Sequence, residues 1–67
     1  MERHFQLDWK AIVEEAIKRR KASRLTQSQV AVLAKVSKPT VIRFEKQATN
    51  IRLSSAFAIL TLFGLKL

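Results

Sequence analysis

The residues of this chain that could do chemistry are cationic, and their pattern suits binding, not reaction. Lys38, Arg43 and Lys46 recur at a spacing that leaves them on the outside of a helix whose other side carries Val41, Phe44 and Glu45. The guanidinium fork of Arg43 can donate two parallel hydrogen bonds to a phosphate, or to the O6 and N7 of a guanine. Lys46 is also suited to phosphate, and Ser37, Thr40 and Arg52 add further donors for phosphate oxygens. Nothing comparable supports catalysis. The chain has no nucleophile with a base beside it, no glycine-rich phosphate loop and no carboxylate cluster near its cations. His4 is the only histidine and there are no cysteines, so no metal, cofactor or enzymatic activity is expected.

The elements that must position these residues are marked by their caps. Thr26 can cap a helix, and Gln29, three residues on, can reach back to the cap's own N–H in a capping box. Val30, Ala31, Leu33 and Ala34 then give an apolar face at helical spacing, with Ala31 small enough to admit a neighbouring helix closely. Ser37 caps a second helix starting near Lys38, and Pro39 is tolerated because the first turn has no intrahelical donor to lose. Two short helices around one turn are the layout of a helix-turn-helix DNA reader.

Upstream, Asp8 is the expected N-cap of a helix with Trp9, Ile12, Val13, Ala16 and Ile17 along one stripe, and that stripe continues onto Arg20. Glu45 would be repelled by phosphate if it faced outward, so it should face inward, where Arg20 is its natural bidentate partner. The alternative leaves Arg20 in the surface run Lys18 to Lys21.

A last helix, starting between Arg52 and Ser55, places Leu53, Ala56, Phe57, Leu60 and Phe63 toward the core and ends at Gly64. Ile59, Leu62, Leu65 and Leu67 fall off that stripe and are expected to form a dimer contact. Leu65-Lys66-Leu67 alternates as a strand should; the alternative is a frayed terminus.

Composition agrees. A chain of 67 residues is one domain, just below the roughly 70 to 80 residues at which a single core is comfortably stable, which favours dimerisation. The net charge is +8, and four of the five acids, Glu2, Asp8, Glu14 and Glu15, lie in the first fifteen residues. Beyond them Glu45 is the only carboxylate side chain, so the remainder is a polycation with the footprint of a nucleic-acid binder. Without cysteines nothing points to an oxidising compartment, so a cytoplasmic setting is the default and, for a DNA binder, a nucleoid-associated one; the longest apolar run, Ala56 to Leu65, is too short to span a bilayer. Residues 1–7 read as a tail or as a contact for another subunit, and 8–67 as the domain with its C-terminal dimerisation segment.

From about Arg20 to Leu65 the chain resembles the phage-repressor, or Xre, type of helix-turn-helix domain. The segment from Ala48 to Leu67 is similar, more narrowly, to HipB-like antitoxins, in which a last helix is followed by a short strand. Lys35 departs from the pattern, since the family usually has glycine at that turn, and a lysine held left-handed costs about 1 kcal/mol. The resemblance implies an all-α, compact four-helix domain with a C-terminal strand pairing across a dimer. It implies base contacts at Lys38, Pro39 and Arg43, with Pro39 limited to apolar contact such as a thymine methyl.

It further implies a phosphate contact at Gln27 and a buried ion pair at Arg20 and Glu45. The expected partners are double-stranded DNA bearing an inverted-repeat operator, with half-sites roughly 34 Å apart, a second copy of the chain, and a HipA-like kinase toxin. The alternatives are a phage-style or stand-alone Xre repressor without a toxin, and a protein-interaction module with weak DNA binding.

Overall fold

Four helices form where local capping chemistry places them. The computed structural model describes residues 8–66, with α1 at Trp9–Ala22, α2 at Gln27–Ala34, α3 at Lys38–Glu45 and α4 at Leu53–Leu62. The Asp8 carboxylate accepts from the Ala11 amide at 3.1 Å and starts α1. Thr26 Oγ1 accepts from the Gln29 amide at 3.0 Å while the Thr26 amide donates to Gln29 Oε1 at 2.8 Å, completing the capping box of α2. Ser37 Oγ accepts from the Thr40 amide at 3.2 Å, with Pro39 in the first turn of α3. α4 begins at Leu53 after an extended Arg52 that makes no side-chain cap.

Each helix ends in the same way. The chain turns left-handed at Arg24, Lys35, Gln47 and Gly64, with φ of 58°, 59°, 65° and 72°. The next amide then bonds back across the last turn, Leu25 to the Arg20 carbonyl at 3.1 Å, Val36 to Ala31 at 3.0 Å, Ala48 to Arg43 at 3.0 Å and Leu65 to Leu60 at 2.8 Å. These are Schellman closures, which satisfy carbonyls that a helix end would otherwise leave bare. Three of the four left-handed residues are not glycine, each at a cost of about 1 kcal/mol. Lys35 thus keeps the turn geometry that glycine would adopt freely.

The core is built from Val13 and Ala16 of α1, Val30 and Ala31 of α2, Val41 and Phe44 of α3, and Ala56, Ile59 and Leu60 of α4. Trp9 closes one end, its ring edge-on to Phe44 at a centroid distance of 5.5 Å. At the other end Arg19 of α1 donates from Nη1 to the Phe63 carbonyl at 2.7 Å, a cation at the C-terminus of α4.

Two sequence expectations are corrected by the packing. α4 is rotated about its axis by roughly half of the 100° step between residues. Ile59 is consequently 1% exposed and belongs to the core, so it is not part of a subunit contact, while Leu53 and Phe57 are 62% and 44% exposed. The physical cause is that α4 is apolar almost all round, so its neighbours decide which side faces inward. In α2 the inward side runs through Val30, Ala31 and Ala34, and Leu33 is exposed instead of sharing it.

Leu62 and Leu65 are half-buried against the core. Leu65 and Lys66 form no strand, and no strand occurs among the described residues. Leu67 and the segment 1–7 lie outside the described residues. No helix among the described residues is long and apolar enough to cross a membrane.

Candidate nucleic-acid interface

The outward side of α3 is cationic. Val41 and Phe44 are buried, and Lys38, Pro39, Arg43 and Lys46 are exposed along the opposite side. Ile42, which no sequence signal singled out, is half-buried between the two. Ser37 and Thr40 are tied together at the N-terminus of α3, their hydroxyl oxygens 2.7 Å apart, so both serve the cap before any ligand. Arg52 is exposed at the start of α4, beside amides that no side chain caps.

Arg43 is not free-standing. Its Nη2 donates to the Asn50 carbonyl at 2.8 Å, which holds the guanidinium against the loop between α3 and α4. A backbone acceptor carries no signature in its side chain, so this bond had no signal in the sequence.

Glu45 faces inward and is the centre of a network joining three helices. Arg20 Nε lies 2.6 Å from Glu45 Oε2, and Arg20 Nη2 donates to Oε1 at 3.2 Å. The two side chains are 14% and 12% exposed. The remaining Arg20 nitrogen, Nη1, donates to the Leu25 carbonyl at 3.0 Å. Gln27, at the first position of α2, donates from Nε2 to Glu45 Oε1 at 3.0 Å. The carboxylate therefore accepts from α1 and α2 while belonging to α3, and its charge is spent inside the domain. This leaves the outer face of α3 without a competing anion. Gln27 is anchored by this network and is not an unoccupied surface donor.

The geometry is a capped α2, a tight left-handed turn at Lys35, and a short α3 with apolar side inward and cationic side outward. The family model for helix-turn-helix proteins, HTH_3, matches residues 17–67, the span that contains all of these features. The chain belongs to this family. No curated protein matches it. Members of HTH_3 are Xre-like DNA-binding regulators, so this domain is a DNA-binding transcription regulator by family. Within the HTH_3 frame, α2 is the helix that supports and α3 the helix that presents. Among the described residues no group of three His, Cys, Asp or Glu side chains could hold a metal ion.

Proposed function

We propose that this HTH_3 protein is a sequence-specific repressor that binds an inverted-repeat operator as a homodimer, with α3 in the major groove. The observation that carries this reading is the exposed cationic side of α3 beside a Glu45 that is fully occupied within the domain. In this reading Arg43 exchanges the Asn50 carbonyl for a guanine edge, Lys38 contacts a neighbouring base, and Pro39 packs on a thymine methyl. Lys46 and Arg52 hold phosphates, Gln27 adds the second hydrogen of the amide that Glu45 anchors, Ser37 and Thr40 add their cap hydroxyls, and the uncapped amides at the start of α4 assist Arg52. The dimer forms through α4 and the segment after it: Ile59 is buried, so the exposed Leu53 and Phe57, about one turn apart on one flank of α4, carry the contact, with Leu62, Leu65 and Leu67 further along the chain. The resemblance of this C-terminal part to HipB-like antitoxins supports autorepression of an operon that also encodes a HipA-like kinase toxin.

Fluorescence anisotropy with the DNA upstream of the protein's own gene and with a scrambled duplex, across a salt series, tests the reading. Preference for the native duplex by about a thousandfold at physiological salt, within the usual range for specific readers, is the expected result. Equal binding of both duplexes, with joint release as salt rises, overturns it. A kinase gene beside this one supports the antitoxin role, and its absence favours a stand-alone repressor.

A further inference from the structure

α2 has a second face that the DNA reading does not use. None of its residues, Gln27 to Ala34, is charged, in a chain whose net charge is +8. Its inward side is spent on the core, and its outward side leaves Val32 77% and Leu33 54% exposed. The pairs Ser28 and Val32, and Gln29 and Leu33, are each one helical turn apart and make two parallel rows. With Leu25 they line an open groove of about 340 Å³. Leu25 also packs against the core, so one wall of the groove is fixed to the body of the domain. Single exposed apolar residues are ordinary on a protein surface, whereas Val32, Leu33 and Leu25 lie side by side in one shallow, open depression.

The charges around the groove select its occupant. Arg24 directly precedes Leu25 and Lys35 directly follows α2, and both are exposed. No acid occurs between Glu15 and Glu45, and Glu45 is bonded to Arg20 and Gln27. The groove is thus apolar inside and flanked in sequence by an exposed cation on each side, with no carboxylate nearby in sequence to offset them. A second copy would bring the same cations against them, and nucleic acid has no apolar stripe to fill the middle. We propose that this face of α2 docks an amphipathic helical segment of a partner protein, one with bulky apolar side chains along one stripe and Asp or Glu flanking them. Helix-in-groove recognition of this kind reads anchors at i, i+3 or i+4, and i+7. Ridges made by the i, i+4 rows of α2 suit a crossing helix. The exposed groove residues are not among the DNA contacts, so the inference stands independently of the operator reading.

The test uses the full chain and two labelled synthetic peptides of about four helical turns. One carries Leu and Phe in a helical stripe with Glu elsewhere, and the other has the same composition in scrambled order. The patterned peptide should bind at least about tenfold more tightly, as expected for burying one or two large apolar side chains. Amide shifts should concentrate at Leu25, Ser28, Val32 and Leu33. Val32→Lys adds a cation yet should weaken the patterned peptide by about tenfold through lost apolar contact, and it suits a helix at least as well as valine. Leu33→Ser should do the same without changing charge, and operator binding by either variant should not fall. Equal binding of the two peptides, or tighter binding by Val32→Lys, would show attraction by charge alone and overturn the proposal. Because the readout is peptide binding, its failure leaves the operator measurement unaffected.

Discussion

Replacing Arg20 with alanine is the sharpest perturbation of this domain. The guanidinium makes two bonds to Glu45, at 2.6 and 3.2 Å, and a third to the Leu25 carbonyl at 3.0 Å. Its removal strands a carboxylate that is 12% exposed, with Gln27 Nε2 as its one remaining partner in the network. Breaking a largely buried pair from one side costs about 3 to 5 kcal/mol. At the usual 0.05 to 0.15 kcal/mol per residue, a chain of 67 residues has roughly 3 to 10 kcal/mol in total, so Arg20→Ala should remove between about a third and all of its stability. With a urea dependence of about 1 kcal/mol per molar for so small a domain, the unfolding midpoint should fall by about 3 M or more, or the variant should be unfolded in buffer. Circular dichroism through a urea titration reads this directly. The companion variant Arg20→Met with Glu45→Leu removes both charges together and should recover most of the loss, because no charge is then stranded. A loss below about 1 kcal/mol for Arg20→Ala, the value of an exposed pair, would refute the network as a structural element, as would a double variant that loses the sum of the two single ones.

Three further predictions follow from other parts of the molecule. Lys35→Gly, at φ 59°, should raise stability by about 0.5 to 1 kcal/mol and the melting temperature by several degrees. Gly64→Ala should do the opposite through its backbone alone, since a Cβ there would meet Arg19 Nη1 at an ordinary 3.7 Å. In sedimentation equilibrium, Phe57→Lys should weaken the proposed dimer while leaving the helical content intact. Ile59→Ala should instead cost about 2 to 5 kcal/mol of folding stability, as a cavity in the core does. In operator binding, Arg43→Ala should relax discrimination at one base pair by about 1 to 3 kcal/mol, whereas Lys46→Ala should weaken all sequences alike and reduce the salt slope by about 0.9. If Arg43→Ala also weakens every sequence equally, its role is a phosphate contact.

The first three helices are legible in the sequence because their boundaries are set by chemistry confined to one turn. Asp8, the Thr26 and Gln29 pair, and Ser37 with Pro39 each act on amides two or three residues away, so no knowledge of the rest of the chain is needed. The inward orientation of Glu45 is legible for a different reason, namely that a lone carboxylate among cations has to be neutralised somewhere. The orientation of α4 was not legible, because Leu53, Ala56, Phe57, Ile59, Leu60, Leu62 and Phe63 leave it apolar on nearly every side. The exposure of Leu33 on α2 is hidden for the same reason, as Leu33 has the same character as the buried Val30. The bond from Arg43 to Asn50 and that from Arg19 to Phe63 end on backbone carbonyls, which any residue type would supply. The Gln27 amide could serve Glu45 or a phosphate equally well by its chemistry, and only its distance from Glu45 distinguishes the two in the free protein.

α3 is eight residues long, about 12 Å, and a helix of that length has no stability of its own in water. Its position is instead fixed from both ends. At its start the left-handed Lys35, the Val36 amide bonded to Ala31 and the Ser37 cap set its angle to α2. At its finish Glu45 is held by Arg20 and Gln27, and the left-handed Gln47 turns the chain toward Asn50, whose carbonyl meets Arg43. Val41 and Phe44 anchor the middle. This redundancy explains how the domain tolerates strained turns at Lys35 and Gln47, each costing about 1 kcal/mol, without loosening the helix between them. It also separates holding from binding. The bonds that hold α3 come from its inward side and its ends, and on the outward side the Arg43 guanidinium is tied to the following loop through the Asn50 carbonyl. Exchanging the Asn50 carbonyl for an outside acceptor replaces one charge-assisted hydrogen bond with another, so Arg43 can leave the loop when such an acceptor is presented.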